Sequence, residues 1–228
     1  MSAFGKLSVV IPCLNEAESI VQLLETLQAA RTDGIELVLV DAGSVDDTVT
    51  LSAPLVDKLI YSAAGRAKQM NAGARAASGG ILWFLHADSV IHADFPDLIQ
   101  AALVASGRPW GRFDVRLSGR RPALRIIEFL MNWRSRLTGI VTGDQGIFMH
   151  RALFERLGGF PDIPLMEDIA ISRRLKAYTR PVVVAQRLQT SSRRWEQAGI
   201  IPTVLLMWRL RWAYYFGADP ARLAQRYR

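Results

Sequence analysis

Cysteine is nearly missing from this chain: Cys13 stands alone among 228 residues, so no internal disulfide can form and a disulfide-stapled scaffold is excluded. A reducing, cytoplasmic setting is the expectation. The opening "MSAFGKLSVVIP" lacks the long apolar segment and the small-residue cleavage site of a signal peptide. Neither G-x-G-x-x-G nor G-x-x-x-x-G-K-[ST] occurs, which removes the main support for hydride transfer or ATP hydrolysis. Internal repeats and low-complexity linkers are absent as well. The most apolar stretch, "AGIIPTVLLMWRLRWAYYFG" (198–217), is interrupted by Pro202, Arg209 and Arg211. That leaves too short a run for a spanning helix, which needs about 20 mostly apolar residues. Two readings stay open for it: an interfacial helix with Trp, Tyr and Arg near headgroups, or ordinary packing on the domain.

Acidic residues are scarce in one place only. The net charge is +7, and residues 180–228 hold nine arginines against Glu196 and Asp219, so the whole excess sits there. Such a tail implies an anionic partner (phosphate, acidic lipid or nucleic acid) or simply a solvated basic face. With 50% hydrophobic and 21% charged residues, the chain has the composition of a globular protein with one core and an appendage.

What is present alternates. "LSVVIPC" (7–13), "ELVLVDA" (36–42), "KLIYS" (58–62) and "ILWFLH" (81–86) read as strands. Between the first two, Ile20, Leu23, Leu24 and Leu27 share a helical face, and Asn15 with Glu18 has capping-box spacing. Ser44 and Asp47 repeat that spacing before a shorter helix, and Ala67, Met70, Ala74 and Ala77 line a further helix that "SGG" should stop. Farther on, 110–118 reads as a strand and Ala123–Leu137 as a helix with a basic outer face. After these come a loop and short strand at 143–150, a short helix ended by Gly158, a helix over 167–178 and a strand at "PVVVAQ". The expected fold is therefore α/β: a mostly parallel, Rossmann-like sheet flanked by helices, with a helical, basic C-terminal appendage. The expected division is 1–180 for the catalytic domain and 181–228 for the extension. In such sheets ligands bind beyond the carboxyl ends of the strands, where Asn15–Glu16, Asp41 and His86–Asp88 stand.

"VVIPCLNEAESI", "LVLVDAGSVDDT", "GRAKQMNAGARAASGGILWFLHADS", "GDQGIFMHRALFERLGGF" and "MEDIAISRRLK" together resemble the successive blocks of family 2 glycosyltransferases, in that family's order over about residues 7–178. The resemblance implies an A-type nucleotide-sugar domain, a divalent metal (Mn²⁺ or Mg²⁺), a nucleoside-diphosphate sugar, more specifically a UDP sugar, and inversion at the anomeric carbon. Its partner would be a hydroxyl acceptor, and the basic, aromatic tail raises a lipid-linked one and a peripheral position on the inner face of a membrane. Nucleic acid is not expected.

Carried onto this chain, the resemblance makes Asp41 a nucleotide contact, where the residues alone allow a turn with Ala42–Gly43. Pro12, Asn15 and Glu16 would border the base and ribose pocket, Asn15 being equally a helix cap. Arg66, Lys68 and Asn71 open a helix, where cations favour a diphosphate, or form a solvated face. His86-Ala87-Asp88 occupies the place of the family's D-x-D motif, with histidine first. Asp88 is the metal ligand, and His86 and Ala87 adjoin the substrate. Glu167–Asp168 resembles the E-D motif at a helix start, where carboxylates also complement the helix dipole. Asp168 is the expected base and Glu167 its support, while Asp144 and Gln145 in "GDQG" would touch donor sugar or acceptor. "SSRRW" partly matches the Q-x-x-R-W element of processive members, with Ser191 in place of Gln. Arg194 could clamp the diphosphate, and Trp195 either stacks on a sugar or packs in the core. The alternatives from other classes are a sugar-1-phosphate nucleotidyltransferase, which would want a glycine-rich basic loop after the first strand, and a non-catalytic membrane- or RNA-docking module, which would need none of the carboxylates.

Overall fold

The computed structural model describes residues 5–31 and 34–227. In chain order the first elements are β1 (Leu7–Cys13), α1 (Ala17–Ala29), β2 (Ile35–Asp41), α2 (Thr48–Ser52), β3 (Lys58–Tyr61), α3 (Arg66–Ala76) and β4 (Ile81–Phe84). There follow α4 (Phe95–Ser106), β5 (Trp110–Leu117), α5 (Pro122–Thr138), β6 (Phe148–His150), α6 (Arg151–Arg156) and α7 (Glu167–Tyr178). The chain closes with β7 (Val182–Thr190), α8 (Arg193–Gln197), α9 (Ile200–Tyr215) and α10 (Pro220–Tyr227).

The seven strands form one sheet in the order β3-β2-β1-β4-β6-β5-β7. Every pairing is parallel except those of β6, which runs against both β4 and β5. Every residue of β2 and β4 is buried and only Pro12 of β1 is partly open, which is why these strands read as continuous apolar runs: helices cover both faces. On one face, α1 and α4 pack on β1, β2 and β4 through Ile20, Leu23, Leu24, Leu27, Phe95 and Ile99. Each such side chain contributes about 2 kcal/mol by leaving water. On the other, Met70 and Ala74 of α3 and Ile171 and Leu175 of α7 meet Val10, Val40, Leu82 and Met149. Gly73 lets α3 approach that closely, since a Cβ there would lie 2.4 Å from Val10 Cγ1.

The α/β, mostly parallel architecture and the C-terminal helices match the expectation. The division at residue 180 falls just before β7, which pairs with β5 and completes the sheet, so the helical extension proper begins at α8. Four local expectations need correction. Asn15 does not cap α1: it sits at φ 54°, its Oδ1 accepts from Val45 N at 2.9 Å, and α1 has no side-chain cap. Ser44 likewise makes no cap for α2, its hydroxyl going to Asp41 instead. The helix at Phe95–Ser106 was not anticipated. The outer face of α5 is apolar rather than basic, exposing Ile126, Phe129, Trp133 and Leu137. Its arginines bond back to the chain: Arg125 donates to Leu117 O and Gly119 O, Arg134 to Ile140 O, and Arg136 to Asp114. Burial pushes the Cys13 thiol up, which keeps it protonated and inert.

Candidate active site

The carboxyl ends of β4, β5 and β7 and the start of α7 enclose a cavity of about 620 Å³. Open α/β sheets bind ligands at this end. Its wall carries four arginines, Arg66, Arg193, Arg194 and Arg211, facing four carboxylates, Asp88, Asp144, Glu167 and Asp168. A smaller cavity of about 230 Å³, lined by Glu18 and Ser19 of α1, shares Asp88, Thr190, Ser191 and Arg193 with it. The two therefore adjoin beside the β1–β4 crossover point of the sheet.

His86 follows β4, with Nδ1 3.4 Å from Asp144 Oδ1. Gly143 makes room for the ring: a Cβ there would lie 2.5 Å from His86 Nε2. Gly143 N also donates to Asp168 Oδ2 at 3.0 Å, so one turn, Gly143–Gln145, braces the histidine and the α7 carboxylate together. The other Asp168 oxygen accepts from Ile169 N at 2.7 Å. Burial would raise the Asp144 carboxyl, but His86, Arg66 and Arg211 outweigh it and lower its pKa. Gly143→Ala is expected to keep the fold yet push the imidazole off Asp144, so that the lowered Asp144 pKa rises. NMR titration of that carboxyl checks this; an unchanged pKa would show that the ring does not hold it down.

Glu167 behaves differently from its neighbour. Burial, and then the adjacent Asp168 charge, push its pKa up from 4.5 to about 7, against the pull of Arg66. A folded-state pKa above the unfolded one means that the native state prefers Glu167 protonated. Its burial is therefore tolerated at acidic pH and turns into a penalty as pH climbs from 4.5 to about 7. Glu167→Gln should remove that penalty and raise the melting temperature above pH 7 by several degrees. The gain should vanish near pH 4, and melting curves across pH show whether it does.

The remaining expected residues lie around this cavity, in different relations to it. Arg66, His86, Asp88, Asp144, Glu167, Asp168, Arg194 and Trp195 all line it. Pro12, Asn15, Glu16, Asp41, Lys68, Asn71, Ala87 and Gln145 do not. Asp41 is buried, with Oδ2 accepting from Gly43 N and Ser44 N at 2.8 and 3.0 Å, the turn-forming arrangement. Asn71 spends its amide on Phe160, accepting from N at 2.9 Å and donating to O at 2.8 Å, which ties α3 to the segment after α6. Gln145 is buried and accepts from Thr142 N at 3.2 Å, shaping its own turn. Lys68 is exposed on α3, Ala87 is buried, and Pro12 lies within β1. Glu16 reaches the edge of the site through Arg193 Nη2, 3.4 Å from its Oε2.

Three ionisable cavity residues were not foreseen. Arg193 is the neighbour of an expected residue, and only the doubled arginine in "SSRRW" hinted at it. Arg211 and Tyr227 belong to no motif. Tyr227 comes from α10, and the Arg194 guanidinium lies 3.5 Å over its ring while donating to its carbonyl. Among the described residues two non-glycine residues adopt left-handed backbone, Asn15 at φ 54° and Met166 at φ 70°, each directly before a carboxylate of interest, Glu16 and Glu167. Strain of this kind clusters at functional sites.

The glycosyl transferase family 2 profile matches residues 8–158, which covers the sheet rim as far as the Gly143 turn. The chain belongs to glycosyl transferase family 2. Its relatives in that family include an uncharacterized glycosyltransferase of Mycobacterium tuberculosis, 29% identical over 197 residues that cover 81% of this chain and 74% of that protein. Among solved structures, Staphylococcus aureus TarS with UDP bound superposes with a TM-score of 0.63 at 20% identity, over 82% of this chain; the chain spans 60% of that TarS chain. Glucosyl-3-phosphoglycerate synthase of Mycobacterium tuberculosis, in complex with Mn²⁺, UDP and glucosyl-3-phosphoglycerate, gives 0.61 at 20% identity, over 82% of this chain and 70% of that one. These likenesses establish a shared fold. Family membership sets aside the nucleotidyltransferase and the non-catalytic alternatives.

Proposed function

We propose that this family 2 member transfers a sugar from a nucleoside-diphosphate sugar, a UDP sugar first, to a hydroxyl acceptor with inversion at the anomeric carbon. The observation that carries the reading is the cavity itself, where arginines suited to a diphosphate face a carboxylate pair suited to a base. The UDP in TarS and in the phosphoglycerate synthase supports the choice of nucleotide.

In this reading Arg66 and Arg194 hold the diphosphate, as planar guanidiniums do. Glu16, reached by Arg193, is the residue kept for the ribose. Asp41 and Asn15 are consumed by their loop and enter only as its scaffold. Among the described residues no cluster of three His, Cys, Asp or Glu could hold a metal ion. Asp88, with His86 nearby in the sequence, would hold a divalent ion through one carboxylate, a ligand that suits Mg²⁺, while imidazole suits Mn²⁺ better. Such an ion, when bound, offsets charge on the departing diphosphate. Asp168, fixed by two backbone N–H groups, takes the acceptor hydroxyl's proton as that oxygen attacks the anomeric carbon from the side opposite the diphosphate. The acceptor–carbon bond forms, the carbon–diphosphate bond breaks, and the nucleoside diphosphate leaves with the electron pair. We place the acceptor at a membrane surface, lipid-linked, on the support of the apolar and basic C-terminal helices. Among the described residues no helix is long and apolar enough to cross a membrane.

Thermal-shift titration of UDP, GDP and their sugars, with and without Mn²⁺, tests the reading. UDP with Mn²⁺ should stabilise the protein, and Asp88→Asn should abolish the Mn²⁺-dependent part alone. Stabilisation by no nucleotide at all would sink the proposal.

A further inference from the structure

The structure carries a second built surface beside the carboxylate pair, its groove sharing Ile169 and Arg211 with the cavity. On α5, Ile126, Phe129, Leu130, Trp133 and Leu137 are all exposed, between 43% and 64%. Their spacing puts them on one helical face. On α9, Ile201, Leu205, Trp208, Trp212, Tyr215 and Phe216 form a second stripe, exposed between 59% and 75%. The rings of Trp212 and Phe216 stack at 5.8 Å, so this stripe is ordered rather than a scatter of loose side chains. A soluble surface seldom leaves so much contiguous apolar area in water.

Between the two helices runs a groove of about 540 Å³, with Arg134 and Thr138 of α5 on one side and Tyr214 and Tyr215 of α9 on the other. Its charged lining is Arg134, Arg173, Lys176 and Arg211, and among the described residues no carboxylate lines it. Arg134 Nε and Nη2 are buried there without a hydrogen-bond partner. Burial, and then the nearby Arg211 charge, lower the Arg134 pKa to about 10, with Asp168 as the counter-charge in range. Unspent donors and mutually repelling cations together make a vacancy for an anion. Arg173 is held ready by stacking over Tyr214 and Tyr215, at 5.3 and 5.5 Å.

We propose that the α5 and α9 apolar faces seat this protein on an anionic lipid bilayer, with the groove between them taking a lipid phosphate. Aromatic and aliphatic side chains flanking arginines are the composition of a membrane interface. The net charge of +7, confined to residues 180–228, complements an acidic leaflet. A second copy of the chain is a poorer occupant, because a self-complementary contact would bring two cationic grooves together. Nucleic acid would leave the two apolar stripes in water.

Sedimentation of the full chain with phosphatidylcholine vesicles, with and without phosphatidylglycerol, decides it. Binding should require phosphatidylglycerol and weaken with salt. Phe129→Ser with Trp212→Ser should lower it tenfold or more. Arg173→Gln with Lys176→Gln should cost roughly twenty-five-fold, at about fivefold per cation, and reduce the preference for acidic lipid. Unchanged melting curves show that each variant is folded. No binding to acidic vesicles, or equal binding by all variants, overturns the proposal. So does a concentration-dependent dimer that Phe129→Ser with Trp212→Ser abolishes, which would assign the surface to a second copy. The inference deepens the membrane placement of the acceptor, and its readouts involve no catalysis: sugar transfer without vesicle binding would overturn it alone.

Discussion

Asp168→Asn is expected to lower turnover by roughly 100- to 10,000-fold, the range that a positioned general base contributes, while UDP binding stays within about twofold. The asymmetry follows from the geometry. Both Asp168 oxygens accept backbone N–H groups, from Gly143 at 3.0 Å and Ile169 at 2.7 Å, so the carboxylate is oriented by the chain and not by a ligand. An asparagine keeps the shape and the exposure, but it can accept from only one of those two N–H groups and cannot take a proton. Glu167→Gln separates the two acids. Because Glu167 is pushed up to about 7, it stays partly protonated at neutral pH and serves best as a donor or a contact. Glu167→Gln should thus shift the pH dependence of turnover more than its maximum. If Asp168→Asn were to retain turnover and Glu167→Gln to lose it, the base would be Glu167.

The second large effect is structural. Asp114→Ala should destabilise the protein by about 3–5 kcal/mol, the cost of leaving a buried charge without its partner, and lower the melting temperature by roughly 6–20 °C. Arg112 is 0% exposed on β5, and Asp114 pairs with it from two residues away while also meeting Arg136 of α5. Burial lowers the Arg112 pKa and Asp114 opposes that shift, so removing the carboxylate strands the cation inside the sheet. Replacing the pair together, Arg112→Met with Asp114→Leu, should recover most of the loss. A drop below about 1 kcal/mol in Asp114→Ala would mean that the Phe113 and Asn132 carbonyls already satisfy the cation.

Periodicity made most of the fold legible. The α1 face of Ile20, Leu23, Leu24 and Leu27 is the buried face, and α7 spans 167–178 as its pattern required. Where reading along the chain failed, a partner distant in sequence had intervened. Asn15 looks like a cap because Glu18 follows at the right spacing, but its carbonyl is claimed by Val45, 30 residues away. The arginines of α5 look like a solvated face, but acceptors at the end of β5 and in the turns that follow draw them in, leaving the aromatic side outward. The site was legible where resemblance pointed to rim residues, as at His86, Asp88 and Glu167–Asp168, which the fold gathers into one cleft. Tyr227 and Arg211 were not legible at all, because nothing near them in the chain foretells that α9 and α10 fold back onto the sheet rim.

The antiparallel β6 sets the order in which this molecule can be assembled. β1 to β4 are neighbours by themselves, so that half can form while later residues are still in the ribosome tunnel. β5 has no place beside β4 until Phe148–His150 has been synthesised and inserted between them. His86 and Asp88 belong to the early half, Asp144 and Asp168 to the late one. The cavity's side chains therefore come together only when the late half pairs with the early one through a three-residue strand.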